Sequence, residues 1–410
     1  MALPAGMKKR LGLFLSAAAF DGGVYQYSQS VLRAFSSLPK DEFDCIVICA
    51  RKGWAEQAAA LGLQHRDVLL SVLDRALAYA WVRLGLPVAA WRKIAALLHP
   101  LTRTLLRERC DLWIFPAQDR WAYLAPVPAL GVILDLMHRY QRRFPEFSRF
   151  GRYTLRENHY SNMCRWAYAV LVDSECGKQQ AHESYGLALE RILPLPLVVP
   201  PGLRSATTLS GQPIRFDDLP KKFFFYPAQF WPHKNHARLI RALARLHQTH
   251  PDSALILTGA KAGEYPRLLK LSEELGVGQN VHFLGYVTSD EMIDLYRRAR
   301  ALVMPTFFGP TNTPPMEAMA LGCPVAVSNL YAMPEQVGDA GLCFDPESEE
   351  EIATALLQLW TDDALCRDLR ERGYARSQLW GEREFDARFS SHVHSALSLG
   401  RNENEPAIPL

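Results

Sequence analysis

Several features are missing from this sequence, and each absence removes a class of protein. No uncharged run reaches the length of about 18 residues that a bilayer-spanning helix needs, so the chain reads as soluble or peripheral. The eight cysteines include no Cys-x-x-Cys pair; Cys45 and Cys49 sit in an apolar run. Reduced, buried thiols of a cytosolic protein explain them better than zinc or disulfides. A net charge of +3 without a basic cluster gives no support for a nucleic-acid partner. Asp-x-Asp does not occur, so a divalent ion bridging a diphosphate is not indicated and no cofactor is expected. No internal repeat of 20–50 residues is evident.

What is present is an ordinary globular composition, 49% hydrophobic and 22% charged, in 410 residues. That length exceeds one core and implies two domains of roughly 150 to 200 residues each. The start is ambiguous: Lys8-Lys-Arg10 before an apolar stretch imitates a secretory signal. A first strand over 11–16, a Gly22-Gly23 turn and a helix over 24–35 account for it better, because doubly wound folds begin this way. Strands follow at 43–50, 111–115, 131–134 and 167–174, with mostly helix between 54 and 108. The Arg- and Trp-spaced stretch 75–93 reads either as a core-facing helix pair or as a face lying on an anionic membrane.

Eight Pro and Gly residues between 193 and 220 mark a linker, after which the alternation restarts. Strands are expected at 223–226, 254–257, 281–283, 301–304, 324–327 and 341–344. Two capping boxes, Thr288 with Glu291 and Ser348 with Glu351, open helices. Such alternation predicts parallel sheets covered by helices. The domain reading is 1–200, linker 201–220, a second domain 221–380, then a helix returning towards the N-terminal domain within 381–410 and a disordered tail from 401.

The chain is organised around residues 305–325. An apolar strand, Ala301-Leu-Val-Met304, leads through a loop of small residues to Thr313, read as an N-cap before Pro314 and Pro315. The helix carries Glu317 and stops at Gly322. Its N-terminus offers free N–H groups and a positive dipole end to a phosphate, and Glu317 could accept two adjacent hydroxyls of a ribose. Most strand-loop-helix units bind nothing, so the rest of the chain must supply the context.

That context is a set of motifs in order: Gly22-Gly23, Asp135-Leu-Met-His138, Val172-Asp-Ser-Glu175, Pro200-Pro-Gly202, Tyr226-Pro-Ala-Gln-Phe-Trp-Pro-His-Lys-Asn-His236, Phe283-Leu-Gly-Tyr286, Pro315-Met-Glu-Ala-Met-Ala-Leu-Gly-Cys-Pro-Val325 and Gly341-Leu-Cys-Phe-Asp-Pro346. Together they resemble the group 1 (family 4) retaining glycosyltransferases of GT-B fold. The resemblance implies an α/β chain of two Rossmann-like domains facing each other across a cleft. A nucleotide-sugar would bind the C-terminal domain and a glycan or lipid-linked acceptor the N-terminal one. It implies roles for His138 near the donor sugar, Lys234 at the diphosphate and Glu317 at the ribose. Gly22 and Gly23 would let backbone approach phosphate, or simply make a tight turn. His233 and His236 flank Lys234, but two histidines without a carboxylate or cysteine partner make a poor metal site.

Two positions depart from the family pattern. Gly309 stands where the first glutamate of a paired motif is expected, and Gln229 where an arginine is expected. Thr311, Asn312 and Thr313 lie on the same loop and are candidates to replace those donor contacts. The Gly-Pro-Thr-Asn loop suggests GDP-mannose or a similar hexose nucleotide. The implied mechanism is metal-independent transfer with retention in surface polysaccharide synthesis, in the cytoplasm with peripheral contact to the inner face of the membrane. Gly309 and Gln229 also motivate a different class, an inactive nucleotide-sugar-binding protein, and a sugar-nucleotide epimerase would share the architecture.

Overall fold

The computed structural model describes residues 8–68, 71–199, 203, 216, 218–309 and 311–400. Most of the linker reading, the Pro200-Pro-Gly202 motif and the tail at 401–410 lie outside the described residues. Contacts divide the chain into two units, residues 1–197 with 382–410, and residues 198–381.

The N-terminal unit holds seven parallel strands: β1 (Lys9–Leu15), β2 (Phe43–Cys49), β3 (Gln64–Asp67), β4 (Leu112–Ile114), β5 (Ala129–Ile133), β6 (Ala169–Val172) and β7 (Ile192–Pro194). Their order in the sheet is β3-β2-β1-β4-β5-β6-β7, so the winding reverses between β1 and β4. The central strands are apolar on both faces because helices cover both, as a parallel sheet requires. Helix α1 (Gly23–Ser36) follows β1. Gly22, with φ +57°, makes the turn into it, a backbone conformation that a side chain resists. Helices α2 (Val72–Arg83), α3 (Val88–Leu98) and α4 (Arg152–Trp166) complete the part of this unit that bears on function. The last helix, Glu382–Leu399, packs on α1: Phe385 meets the Tyr27 ring edge-on, and Arg33 reaches Asp386 at 2.8 Å.

The strand β3 escapes a reading based on hydrophobicity because all four of its residues are exposed. It is an edge strand recognised only by its pairing with β2.

The C-terminal unit holds β8 (Phe224–Pro227), β9 (Leu255–Thr258), β10 (Val281–Gly285), β11 (Ala301–Met304), β12 (Val325–Ser328) and β13 (Gly341–Phe344). The sheet is parallel, ordered β10-β9-β8-β11-β12-β13, and reverses between β8 and β11. Phe223, Phe224, Phe225 and Tyr226 are fully buried, each contributing roughly 2 kcal/mol of burial. Helices α5 (His236–His247) and α6 (Thr313–Ala320) start at the carboxyl ends of β8 and β11. The Thr288–Glu291 capping box forms with both bonds. At Ser348 only half a box forms, because the Glu351 carboxylate accepts from Asp345 N–H instead.

Candidate active site

The winding reversal of an open parallel sheet leaves a crevice at the carboxyl ends of the two strands that part there. In the C-terminal unit those strands are β8 and β11, and Lys234 and Asn312 lie just beyond them. After β8 the chain makes a single 3-10 turn, Pro232–Lys234, ended by Asn235 at φ +61°. Asn235 tolerates that left-handed backbone and locks it: its side-chain amide donates to the carbonyls of Pro305 (2.9 Å) and Pro346 (2.8 Å). The Phe307 N–H and the Thr306 hydroxyl both donate to the His233 carbonyl. The turn carrying Lys234 is therefore pinned to the loop after β11.

Lys234 is half-buried. Its ammonium lies 3.4 Å from Asn312 Oδ1 and 4.9 Å from the centre of the Phe308 ring. No carboxylate among the described residues lies within ion-pair reach of it. Burial pushes the ammonium down to about 8. A cation held with this little compensation is a ready partner for an anion.

Asn312, not Thr313, is the N-cap of α6, which places Pro314 and Pro315 at its second and third positions. Its side chain does not cap the helix, since it is bonded elsewhere. The amide donates to Phe308 O at 3.1 Å and lies 3.2 Å from Met333 Sδ, leaving Oδ1 for Lys234. Gln336 clamps the backbone of Asn312 from both sides, accepting its N–H at 3.1 Å and donating to its carbonyl at 2.5 Å.

The same packing explains Gly309. Its φ is +123°, and a Cβ built there would lie 2.6 Å from Asn312 Nδ2. No glutamate fits at this position while Asn312 holds its place.

Glu317 is largely enclosed. The hydroxyl of the fully buried Tyr296 donates to its Oε2 at 2.8 Å. Burial raises the carboxyl above its ordinary range, with the Tyr296 bond opposing. Its Oε1 meets no partner among the described residues. Gln229 is exposed, and its Oε1 accepts from Ala260 N–H at 3.0 Å, which braces the loop after β8 against the exit of β9. The histidines beside Lys234 do not pair as metal ligands. The His233 ring lies against Phe308 and the His236 ring stacks on Tyr226.

The structure thus brings Lys234, Gly309, Asn312 and Thr313 to one crevice edge, with Thr311 on the same loop, Glu317 further along α6 and Gln229 on the neighbouring loop. His138, Gly22 and Gly23 belong to the other unit. His138 is fully buried, its Nε2 3.1 Å from Glu157 Oε2 and 3.4 Å from the Tyr185 hydroxyl. Burial, with Arg156 nearby, pushes the imidazole down to about 4, so it is neutral, and its Nε2–H is committed to Glu157. That carboxylate also binds the Arg139 guanidinium through both oxygens. The other ring nitrogen of His138, Nδ1, is buried and meets no partner among the described residues. Tyr296 and Gln336 carry no motif and went unnoticed in the sequence; each is recognisable only by what it touches.

Residues 213–376 match the family described as glycosyl transferases group 1. The chain is 27% identical over 288 residues to the O-antigen chain mannosyltransferase B of Escherichia coli, covering 67% of this chain and 74% of that protein. It is also 27% identical over 220 residues to a serotype-specific mannosyltransferase of E. coli, although the match spans 27% of that longer protein and 52% of this one. Among solved structures it is similar to Anabaena HepE in complex with UDP (TM-score 0.66, 17% identity, 94% of this chain and 100% of that one). A glycosyltransferase from Rickettsia africae superposes equally well (TM-score 0.66, 14% identity, 97% and 100%). The fold is that of the GT-B glycosyltransferases. The family match is confined to the C-terminal unit of this chain, residues 213–376.

Proposed function

We propose that this protein is a retaining hexosyltransferase that moves a hexose from a nucleotide-sugar, with GDP-mannose the first donor to test, to a glycan or lipid-linked acceptor in surface polysaccharide synthesis. One observation carries the reading. Lys234 is a half-buried cation without a carboxylate, set at the carboxyl edge of the sheet where the winding reverses, beside the N-terminus of α6. A diphosphate placed there meets the ammonium, the Thr313 N–H and the positive dipole end of the helix, which stabilise the charge that develops as it leaves. Glu317 Oε1 would accept from ribose hydroxyls, and Tyr296 fixes the carboxylate for that task. Thr311 and Thr313 stand on the loop that would meet the sugar. Among the described residues of the C-terminal unit no carboxylate lies within ion-pair reach of Lys234, and retention follows if the acceptor attacks the face the diphosphate leaves, with the departing phosphate taking its proton.

The mannosyltransferase relatives support the choice of donor. We place the protein in the cytoplasm, with peripheral contact to the inner membrane face. Among the described residues no helix is long and apolar enough to cross a membrane. The α2–α3 stretch, however, exposes Val72, Leu73, Leu77, Leu84, Leu97 and Leu98 beside Arg75, Arg83 and Lys93, the composition of an interfacial face. Gly309 favours one competing reading, a protein that binds the nucleotide-sugar without turnover.

Incubation with GDP-mannose, UDP-glucose or ADP-glucose and a lipid-linked oligosaccharide, followed by NMR of the product, tests the proposal. An α-linked product from an α-configured donor is expected. A β-linked product removes the retaining mechanism, and binding without turnover establishes the competing reading.

A further inference from the structure

The winding of the N-terminal sheet reverses between β1 and β4, so it has a crevice of the same topological kind as the one beside Lys234. Ser16, the residue after β1, and Asp119, beyond the end of β4, meet there, and the Ser16 hydroxyl donates to Asp119 Oδ1 at 2.5 Å. Asp119 Oδ2 is buried and has no hydrogen-bond partner among the described residues. A cavity of about 620 Å³ opens over this pair, lined also by Arg51, Arg75, Tyr79, Arg120 and Trp121. That volume suits a mono- or disaccharide.

Besides Arg51, the lining sets the guanidinium groups of Arg75 and Arg120 against the single carboxylate of Asp119. Neither Arg75 nor Arg120 forms an ion pair among the described residues. The Arg120 guanidinium lies over the Tyr79 ring at 5.2 Å, and Arg75 Nε reaches only the Ser71 carbonyl at 3.5 Å. Such a lining wants one hydroxyl donor for Asp119 and negative charge for the arginines, with aromatic faces for the apolar side of a sugar.

We infer that this crevice is a second ligand site that takes an anionic saccharide, one hydroxyl donating to Asp119 Oδ2 and a phosphate or carboxylate lying against Arg75 and Arg120. The inference rests on the proposed transferase reading, in which it makes the acceptor negatively charged.

Binding to the full chain, followed by isothermal titration, decides it. Mannose 1-phosphate, mannuronate and methyl mannoside serve as probes, with GDP and UDP run in parallel. The charged sugars are expected to bind at least tenfold more tightly than methyl mannoside. The double variant Arg75→Met/Arg120→Met removes that advantage, and Asp119→Asn weakens all three sugars. Both variants keep the nucleotide affinity of the unaltered protein, which also shows that they fold. A preference shared by mannose 1-phosphate and mannuronate assigns the site to anions in general, and one shown by mannose 1-phosphate alone assigns it to phosphate. Equal binding of charged and neutral sugars overturns the inference. So does loss of the charged probes in Lys234→Met but not in the arginine variant, which would place them in the C-terminal unit. Failure of every nucleotide to bind the unaltered protein counts against the transferase reading alone, since the sugar probes still report on this crevice.

Discussion

The charged groups around His138 and those around Lys234 are built on opposite plans. In the N-terminal unit Glu157 is shared by Arg139 and His138, and Asp135 is paired with Arg156, so each charge has its partner within the unit. In the C-terminal unit Lys234 has one long hydrogen bond to an amide and Glu317 has one tyrosine hydroxyl. Charges that satisfy one another hold a fold together. Charges left short of partners are available to a substrate, and their incomplete compensation is a standing cost to stability. The comparison sets apart two residues that the sequence puts forward alike, His138 with a carboxylate partner and Lys234 without one.

The contrast can be broken by exchanging the two behaviours. Lys234→Met is expected to lower the transfer rate by about 10²–10³-fold, with no fall in melting temperature, measured by product formation and calorimetry on one preparation. A fall in stability with transfer unchanged would make Lys234 structural.

Gly309→Glu, which writes the missing glutamate back, is expected to fail as a repair. Strain at a positive φ and the clash with Asn312 predict a loss of about 1–3 kcal/mol and reduced transfer, since the Asn312 support of Lys234 goes with it. Raised activity would show that the loop tolerates both side chains.

On the other side, Glu157→Ala is expected to destabilise the N-terminal unit by about 1–3 kcal/mol, because it orphans a buried imidazole and an arginine. Nucleotide affinity should not change; if it did, His138 would have a place in donor binding after all.

The smallest effect is expected at Arg92 of α3, an N-terminal exception to the pattern. It is 3% exposed, its three guanidinium nitrogens find no partner among the described residues, and it lies over the Trp166 ring at 4.8 Å. Burial pushes it down to about 10. Arg92→Met should raise stability by about 1 kcal/mol or more, read as a higher melting temperature. A lower one would show that the ring contact outweighs desolvation.

The sequence carried the strands other than β3 and β7, and the start of α6, because those signals are local: apolar runs, prolines at a helix start, a glycine at its end. The places of Lys234 and Glu317 in the fold were legible for the same reason, each standing at a fixed offset from such a signal. The N-cap of α6 was misplaced by one residue because Asn312 spends its side chain on Phe308, Met333 and Lys234, where a capping residue would turn it on its own helix. The fate of His138 was not legible, since Glu157 and Tyr185 come from helices that sequence spacing does not relate to it. Gln336 lies 24 residues from the Asn312 backbone it clamps and belongs to no pattern. The reason for Gly309 is likewise a contact: a single residue type shows what is absent, while only the fold shows that Asn312 occupies the space.

The account turns on Lys234 meeting the diphosphate as a cation whose charge is lost near pH 8. In the unfolded chain an ordinary lysine stays charged to about pH 10.4, so between these values folding becomes more favourable as pH rises, while anion binding becomes weaker. Titration of GDP and UDP into the protein measures this directly. The dissociation constant of the nucleotide that binds should rise roughly tenfold or more between about pH 7.5 and about pH 9.5, and that dependence should vanish in Lys234→Met. An affinity that is flat across this range in the unaltered protein, or the same slope in the variant, would contradict the claim.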